Sequence, residues 1–185
     1  MMNLFLAALG LTPVVFGSLI GALAPSDEGR AWFERLDQPD YIPPPIVFQI
    51  VWPILYVLFG AAIVLYMWGF RTKSVYRPVQ AVQAVQAVKT FRGLPLLALL
   101  LFVANLFFNF MFTPLQFRFK SLLGTMLVCY ATLVTAIALA YVFYVYPLDN
   151  ATPKKAKWAS LLMLPYIAWL ILACTMSTHV YLFNK

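Results

Sequence analysis

The chain has 185 residues, enough for one compact domain. Its hydrophobic fraction of 63%, against 10% charged residues, is more apolar surface than one water-soluble core of this size can hide, which disfavours soluble enzymes, nucleic-acid binders and disordered chains. The net charge of +7 lies in short stretches between long uncharged runs, the pattern of membrane flanks rather than of a basic nucleic-acid face.

Five segments reach the roughly 20 apolar residues that carry a helix across a bilayer. They run over Met2–Ala24, Ile46–Phe70, Leu94–Phe117, Ser121–Tyr146 and Trp158–Leu182, and none holds an Asp, Glu, Lys or Arg. The fold class expected is all-α, an integral membrane bundle of five transmembrane helices in a single domain over residues 1–185. The first span lacks the basic start of a signal peptide and reads as a retained helix, with Pro13 as a kink.

Between spans one and two, Pro25–Pro45 is acidic and ends in Tyr41-Ile42-Pro43-Pro44-Pro45. The prolines fix an extended path, so this loop is expected to fold over the bundle mouth as a lid. Between spans two and three, Arg71–Gly93 contains three QAV triplets at Gln80–Val88. Their three-residue period makes no single helical stripe, and a helical extension of span three is expected.

Orientation follows from the basic residues. Arg71, Lys73, Arg77, Lys89, Arg92, Lys154, Lys155 and Lys157 share the side of the N-terminus, eight against the five of Arg30, Arg35, Arg118, Lys120 and Lys185. The positive-inside rule puts the N-terminus inside and the acidic lid outside.

Intramembrane charges mark ion coupling, and the spans offer only His179, near the end of span five, where an interfacial hydrogen bond is the expected role. Cys129 and Cys174 both fall in apolar runs and read as buried small hydrophobes, with neither a disulfide framework nor a metal cluster. Span three carries a polar seam of Asn105, Asn109, Thr113 and Gln116 on one face, which must look into the bundle. It serves as hydrogen-bond glue between helices, or Asn109 also contacts a ligand. Span two stacks Phe48, Trp52, Tyr56 and Phe59 on one ridge, and span five groups Trp169, Ala173 and Met176 beside Pro165-Tyr166. Two such ridges beside a polar seam, roofed by the lid, would make an apolar pocket for a planar or steroid-like molecule.

These residues resemble a known family. Trp32-Phe33-Glu34-Arg35-Leu36, Gln38 to Pro44 and Val51-Trp52-Pro53-Ile54-Leu55-Tyr56 are similar to the first loop and second helix of the TspO/MBR group, the translocator proteins or tryptophan-rich sensory proteins. Asn109 with Phe112-Thr113-Pro114-Leu115-Gln116-Phe117 resembles its third-helix signature, and Pro165 to Leu170 with Ala173 and Thr175 its fifth. The resemblance implies a five-helix bundle that binds porphyrins or other tetrapyrroles, sterols and synthetic aromatics, some bacterial members promoting light-dependent porphyrin breakdown. Carried over by position, the ligand-binding candidates are Trp32, Tyr41, Phe48, Trp52, Asn109, Phe110, Trp169, Ala173 and Met176. Tyr41 stands where a tryptophan is common, as do Phe110 and Phe112 relative to animal members. No catalytic or metal-ligating residue is assigned; a porphyrin or heme, or a bound lipid, is the occupant expected. The partners expected are membrane lipids, a hydrophobic small molecule, and a second copy of the chain. The alternative is an accessory subunit of a larger membrane complex with a vestigial or lipid-filled pocket, suggested by the replaced tryptophans and the QAV run. A mitochondrial membrane is the preferred location and a bacterial one the other.

Overall fold

The computed structural model describes residues 2–22, 26–72, 81–146 and 153–185. These are helical almost throughout: α1 (Met2–Ala22), α2 (Asp27–Glu34), α3 (Pro45–Thr72), α4 (Ala81–Thr113), a π-helical turn (Pro114–Arg118), α5 (Leu122–Val145), α6 (Pro153–Leu162) and α7 (Leu164–Phe183). Among the described residues four stretches are long and apolar enough to cross a membrane: Pro45–Trp68, Leu96–Arg118, Leu122–Val145 and Lys154–Phe183. The apolar part of α1, Asn3–Leu19, is shorter. Lys73, Arg77, Gln80 and the end of the first span at Leu23–Ala24 lie outside the described residues.

The helices close a ring. α1 packs on α3, α3 on α6 and α7, α7 on α5, α5 on α4, and α4 returns to α1. Small residues set the tightest of these contacts. A Cβ on Gly60 of α3 would collide with the Gly10 carbonyl of α1, so the two backbones meet where neither carries a side chain. The core then fills with Phe59, Tyr66, Phe102, Phe143 and Tyr166, all nearly fully buried. Leu100, Val103, Val134, Ile137 and Ile171 point outward and are exposed. An apolar exterior is what a lipid-facing surface requires.

Two expectations on element bounds need correction. The fifth span is not one helix: α6 starts early, at Pro153, and the chain breaks at Met163 before α7. Pro165 explains the break, because it lacks an N–H and its ring crowds the carbonyl four residues earlier. The third span ends its α-helix at Thr113, and Pro114 opens a wider turn in which Phe119 N–H bonds the Pro114 carbonyl at 2.9 Å. At its other end α4 reaches back to Ala81, so the QAV run from Ala81 on is the helical extension expected. Pro13 lies buried within a continuous α1.

The lid is more structured than its prolines suggest. Ser26 caps α2 by accepting the Gly29 N–H at 3.2 Å, with Asp27 and Glu28 in the first turn where the helix dipole favours acids. The remaining lid residues run on to Pro45, the first residue of α3.

Candidate functional site

At the lid end of the bundle, α3 and α7 bring an aromatic cluster together. Phe48 meets Trp169 edge-on with centroids 5.3 Å apart, and Trp52 meets the same indole at 6.5 Å. Trp52 also stacks on Tyr56 at 5.3 Å and lies edge-on to Tyr166 at 6.4 Å. Beside these rings Ala173, Met176, Cys129 and Cys174 form a buried cluster, and Ile42 from the lid, Phe48 and Phe112 pack against it. The lid therefore contributes Ile42 to this site, whereas Tyr41 next to it is 53% exposed.

Under the rings runs a continuous hydrogen-bond chain. Tyr56 donates to Asn109 Oδ1 at 2.9 Å, Asn109 Nδ2 donates to the Tyr166 hydroxyl at 3.1 Å, and Tyr166 donates to Asn105 Oδ1 at 2.9 Å. Asn105 Nδ2 then donates to the Thr132 carbonyl at 2.8 Å and to Thr135 Oγ1 at 2.9 Å. Four helices, α3, α4, α7 and α5, are thus joined through buried amides and hydroxyls. The seam of α4 does look inward, and at Asn105 and Asn109 it works as interhelical glue.

One buried polar atom stands outside this chain. The indole Nε1 of Trp169 is buried and has no hydrogen-bond partner among the described residues. A buried donor left unpaired costs about 1–3 kcal/mol, so its place in the middle of an aromatic cluster calls for an acceptor.

The other candidates sit apart from these rings. Trp32, half-buried on α2, has Lys120 Nζ 6.0 Å from its ring centroid. Phe110 packs edge-on to Phe16 of α1 with centroids 6.2 Å apart. Sequence reasoning did not assign Ile42 or Phe112 to the site, and it placed Tyr56 and Tyr166 along the pocket ridges without the hydroxyl bonds they make. Cys129 and Cys174 are buried, as expected, and they face each other with sulfurs 3.3 Å apart.

Two clasps hold the lid. On one side Lys120 pairs with Glu28 at 2.7 Å, Phe33 packs edge-on to Phe117 at 5.5 Å, and Gly29 comes so close that an added Cβ would lie 2.8 Å from the Phe117 carbonyl. The Glu28 carboxyl is held below its ordinary value by the hydrogen bond and charge of Lys120. Lys120 itself is left-handed at φ 50, a strained backbone for a non-glycine residue. On the other side Asn184 accepts the Asp37 N–H at 2.7 Å and donates to the Asp37 carbonyl at 2.9 Å. His179 Nε2 lies 3.4 Å from Asp37 Oδ1 and stacks on Phe183, the interfacial role expected of it.

A cavity elsewhere lies on the outer face of α3, an open apolar groove of about 290 Å³ lined by Pro53, Ile54, Val57 and Leu58. It is not part of the lid-side cluster.

The sequence model of the TspO/MBR family matches residues 9–182. The chain belongs to the TspO/MBR family. It is 27% identical to the tryptophan-rich protein TspO of Archaeoglobus fulgidus, over 99% of each chain. To the tryptophan-rich sensory protein of Cereibacter sphaeroides it is 27% identical, over 89% of this chain and 79% of that one. The tryptophan-rich protein TspO of Bacillus cereus matches at 23%, over 84% and 82% respectively. In this TspO/MBR chain, the tryptophans of the lid and of α7 lie in two places: Trp169 in the aromatic cluster and Trp32 at the lid's outer clasp.

Proposed function

We propose that this chain binds a planar hydrophobic molecule, a tetrapyrrole or sterol-like ligand, between the aromatic cluster of α3 and α7 and the lid. The observation that carries the reading is the buried, unpartnered indole N–H of Trp169. A carbonyl, carboxylate or ring nitrogen of a flat ligand would satisfy it, while Phe48 and Trp52 supply ring faces and Ala173 presents only a methyl group. Asn109 has its Oδ1 and one amide hydrogen engaged by Tyr56 and Tyr166, so its part is to hold α3, α4 and α7 at a set spacing. Since Ile42 of the lid packs into the same cluster, ligand entry couples to lifting of the lid.

In the same reading α1 is the fifth crossing, and the N-terminus faces inside. The relatives reported above come from bacteria and an archaeon, which supports a prokaryotic membrane over the mitochondrial one that the sequence reading preferred. The test is a titration of protoporphyrin into the detergent-solubilised chain, followed by the porphyrin's own absorbance. Wild type is expected to saturate, and Trp169→Phe to bind about fivefold more weakly, the loss of one hydrogen bond worth about 1 kcal/mol. Equal, non-saturating uptake by both forms would overturn the reading.

A further inference from the structure

The two cysteines have no part in that reading, yet the fold places them together. Cys129 of α5 and Cys174 of α7 are 45 positions apart in sequence, and the Cys174 thiol donates to the Cys129 sulfur at 3.3 Å. One position along α5 and one turn along α7, Tyr130 and Thr178 share a hydrogen bond at 3.1 Å, which keeps the two helices in register at this level. A disulfide needs its sulfurs at about 2.05 Å, so closure asks for a movement of little more than about 1 Å.

Their surroundings say what reaches them. Both thiols are 3% exposed, and they pack with Ala173 and Met176 against Phe48, Phe112 and the lid residue Ile42. A charged, water-soluble oxidant is kept away by the lid and by lipid. A flat apolar molecule among the same rings would lie beside the sulfurs, and quinones are flat, membrane-soluble molecules that take up two electrons and two protons.

We infer that Cys129 and Cys174 are a redox-active dithiol that reduces a lipid-soluble quinone held under the lid, closing to a disulfide that ties α5 to α7. The inference rests on the planar-ligand reading for the route of access. The step balances: two S–H bonds break, one S–S bond forms, and two electrons and two protons pass to the quinone oxygens to give the hydroquinone.

The experiment uses the full chain in lipid nanodiscs, reduced and freed of reductant, with a short-chain ubiquinone whose fully substituted ring does not add thiols. Expected are one quinol per chain, a mass lower by the two thiol hydrogens, and two cysteines that resist alkylation after denaturation until dithiothreitol is added. Cys129→Ser and Cys174→Ser, made singly, should each abolish quinol formation while keeping the wild-type helical circular-dichroism spectrum, which shows that they are folded. Two alkylatable thiols after quinone treatment, in a wild-type chain that binds porphyrin saturably, would overturn the dithiol and leave the pocket standing. Quinol and disulfide formed in a chain that takes up no porphyrin would uphold the dithiol and remove the tetrapyrrole reading.

Discussion

Tyr166 is the residue on which the buried chain of hydrogen bonds turns. Its hydroxyl accepts from Asn109 and donates to Asn105, so it links two amides of α4 to α7 at one atom. The Tyr56 hydroxyl contributes a single bond, to Asn109. Hydrogen bonds between membrane helices average about 0.6 kcal/mol each. Tyr166→Phe keeps the ring and strands two buried amide groups at once, whereas Tyr56→Phe strands one. Tyr166→Phe is therefore expected to lower the thermal midpoint in detergent more than Tyr56→Phe, by about 1–2 kcal/mol of stability; equal shifts would show that the chain is not coupled at Tyr166. Sequence alone disclosed half of this arrangement. Asn105 and Asn109 stand out because amides are costly in lipid and their spacing puts them on one helix face. Their partners did not stand out, since a tyrosine among 31 aromatics shows its ring in a pattern search and hides its hydroxyl. Phe110 shows the reverse failure: its neighbour in sequence faces the centre, while it packs on Phe16 of α1.

At the scale of elements, the spans were legible from apolar length and their joints were not. Pro165 and Pro114 each reshape a helix locally, but a proline in a long apolar run announces a disturbance without saying whether the helix kinks, breaks or widens. The lid helix had a signal, Ser26-Asp27-Glu28, a capping residue followed by acids; the prolines downstream drew the reading toward an extended loop instead. Docking of α2 depends on Glu28 and Lys120, and this gives the lid a pH dependence with a definite sign. Lys120 lowers the carboxyl pKa in the docked state. The contribution is therefore complete above the ordinary carboxylate value and is lost as pH falls through the lowered one. A spin label at Glu34→Cys should gain mobility on acidification below about pH 4, and adding Glu28→Gln should leave it mobile at neutral pH and flat across the range. A label whose acid response survives Glu28→Gln would place the titrating group elsewhere.

For the molecule as a whole, the two ends of the bundle differ in chemistry. One end carries Lys155 over the Trp68 ring and Lys157 over the Tyr144 ring, at 5.5 and 5.9 Å. The other carries the acidic lid, clasped by Lys120 on one flank and by Asn184 on the other. Lys155 and Lys157 belong to the basic set that the positive-inside rule assigns to the inner face, so the lid and its exposed Arg35 should meet the outside. The Asn184 side chain and the Asp37 backbone exchange two hydrogen bonds, worth about 1–2 kcal/mol together at an exposed site. Cleavage at Arg35 tracks the fraction of molecules with the lid raised when opening is faster than cutting. Asn184→Ala should then raise the rate at which external trypsin cuts intact cells at Arg35 by about 5- to 30-fold. Inside-out vesicles of the same variant should remain uncut there. Cleavage in the inverted vesicles alone would reverse the orientation, and equal rates for wild type and variant in cells would show that the lid is held by its Lys120 flank and not by α7.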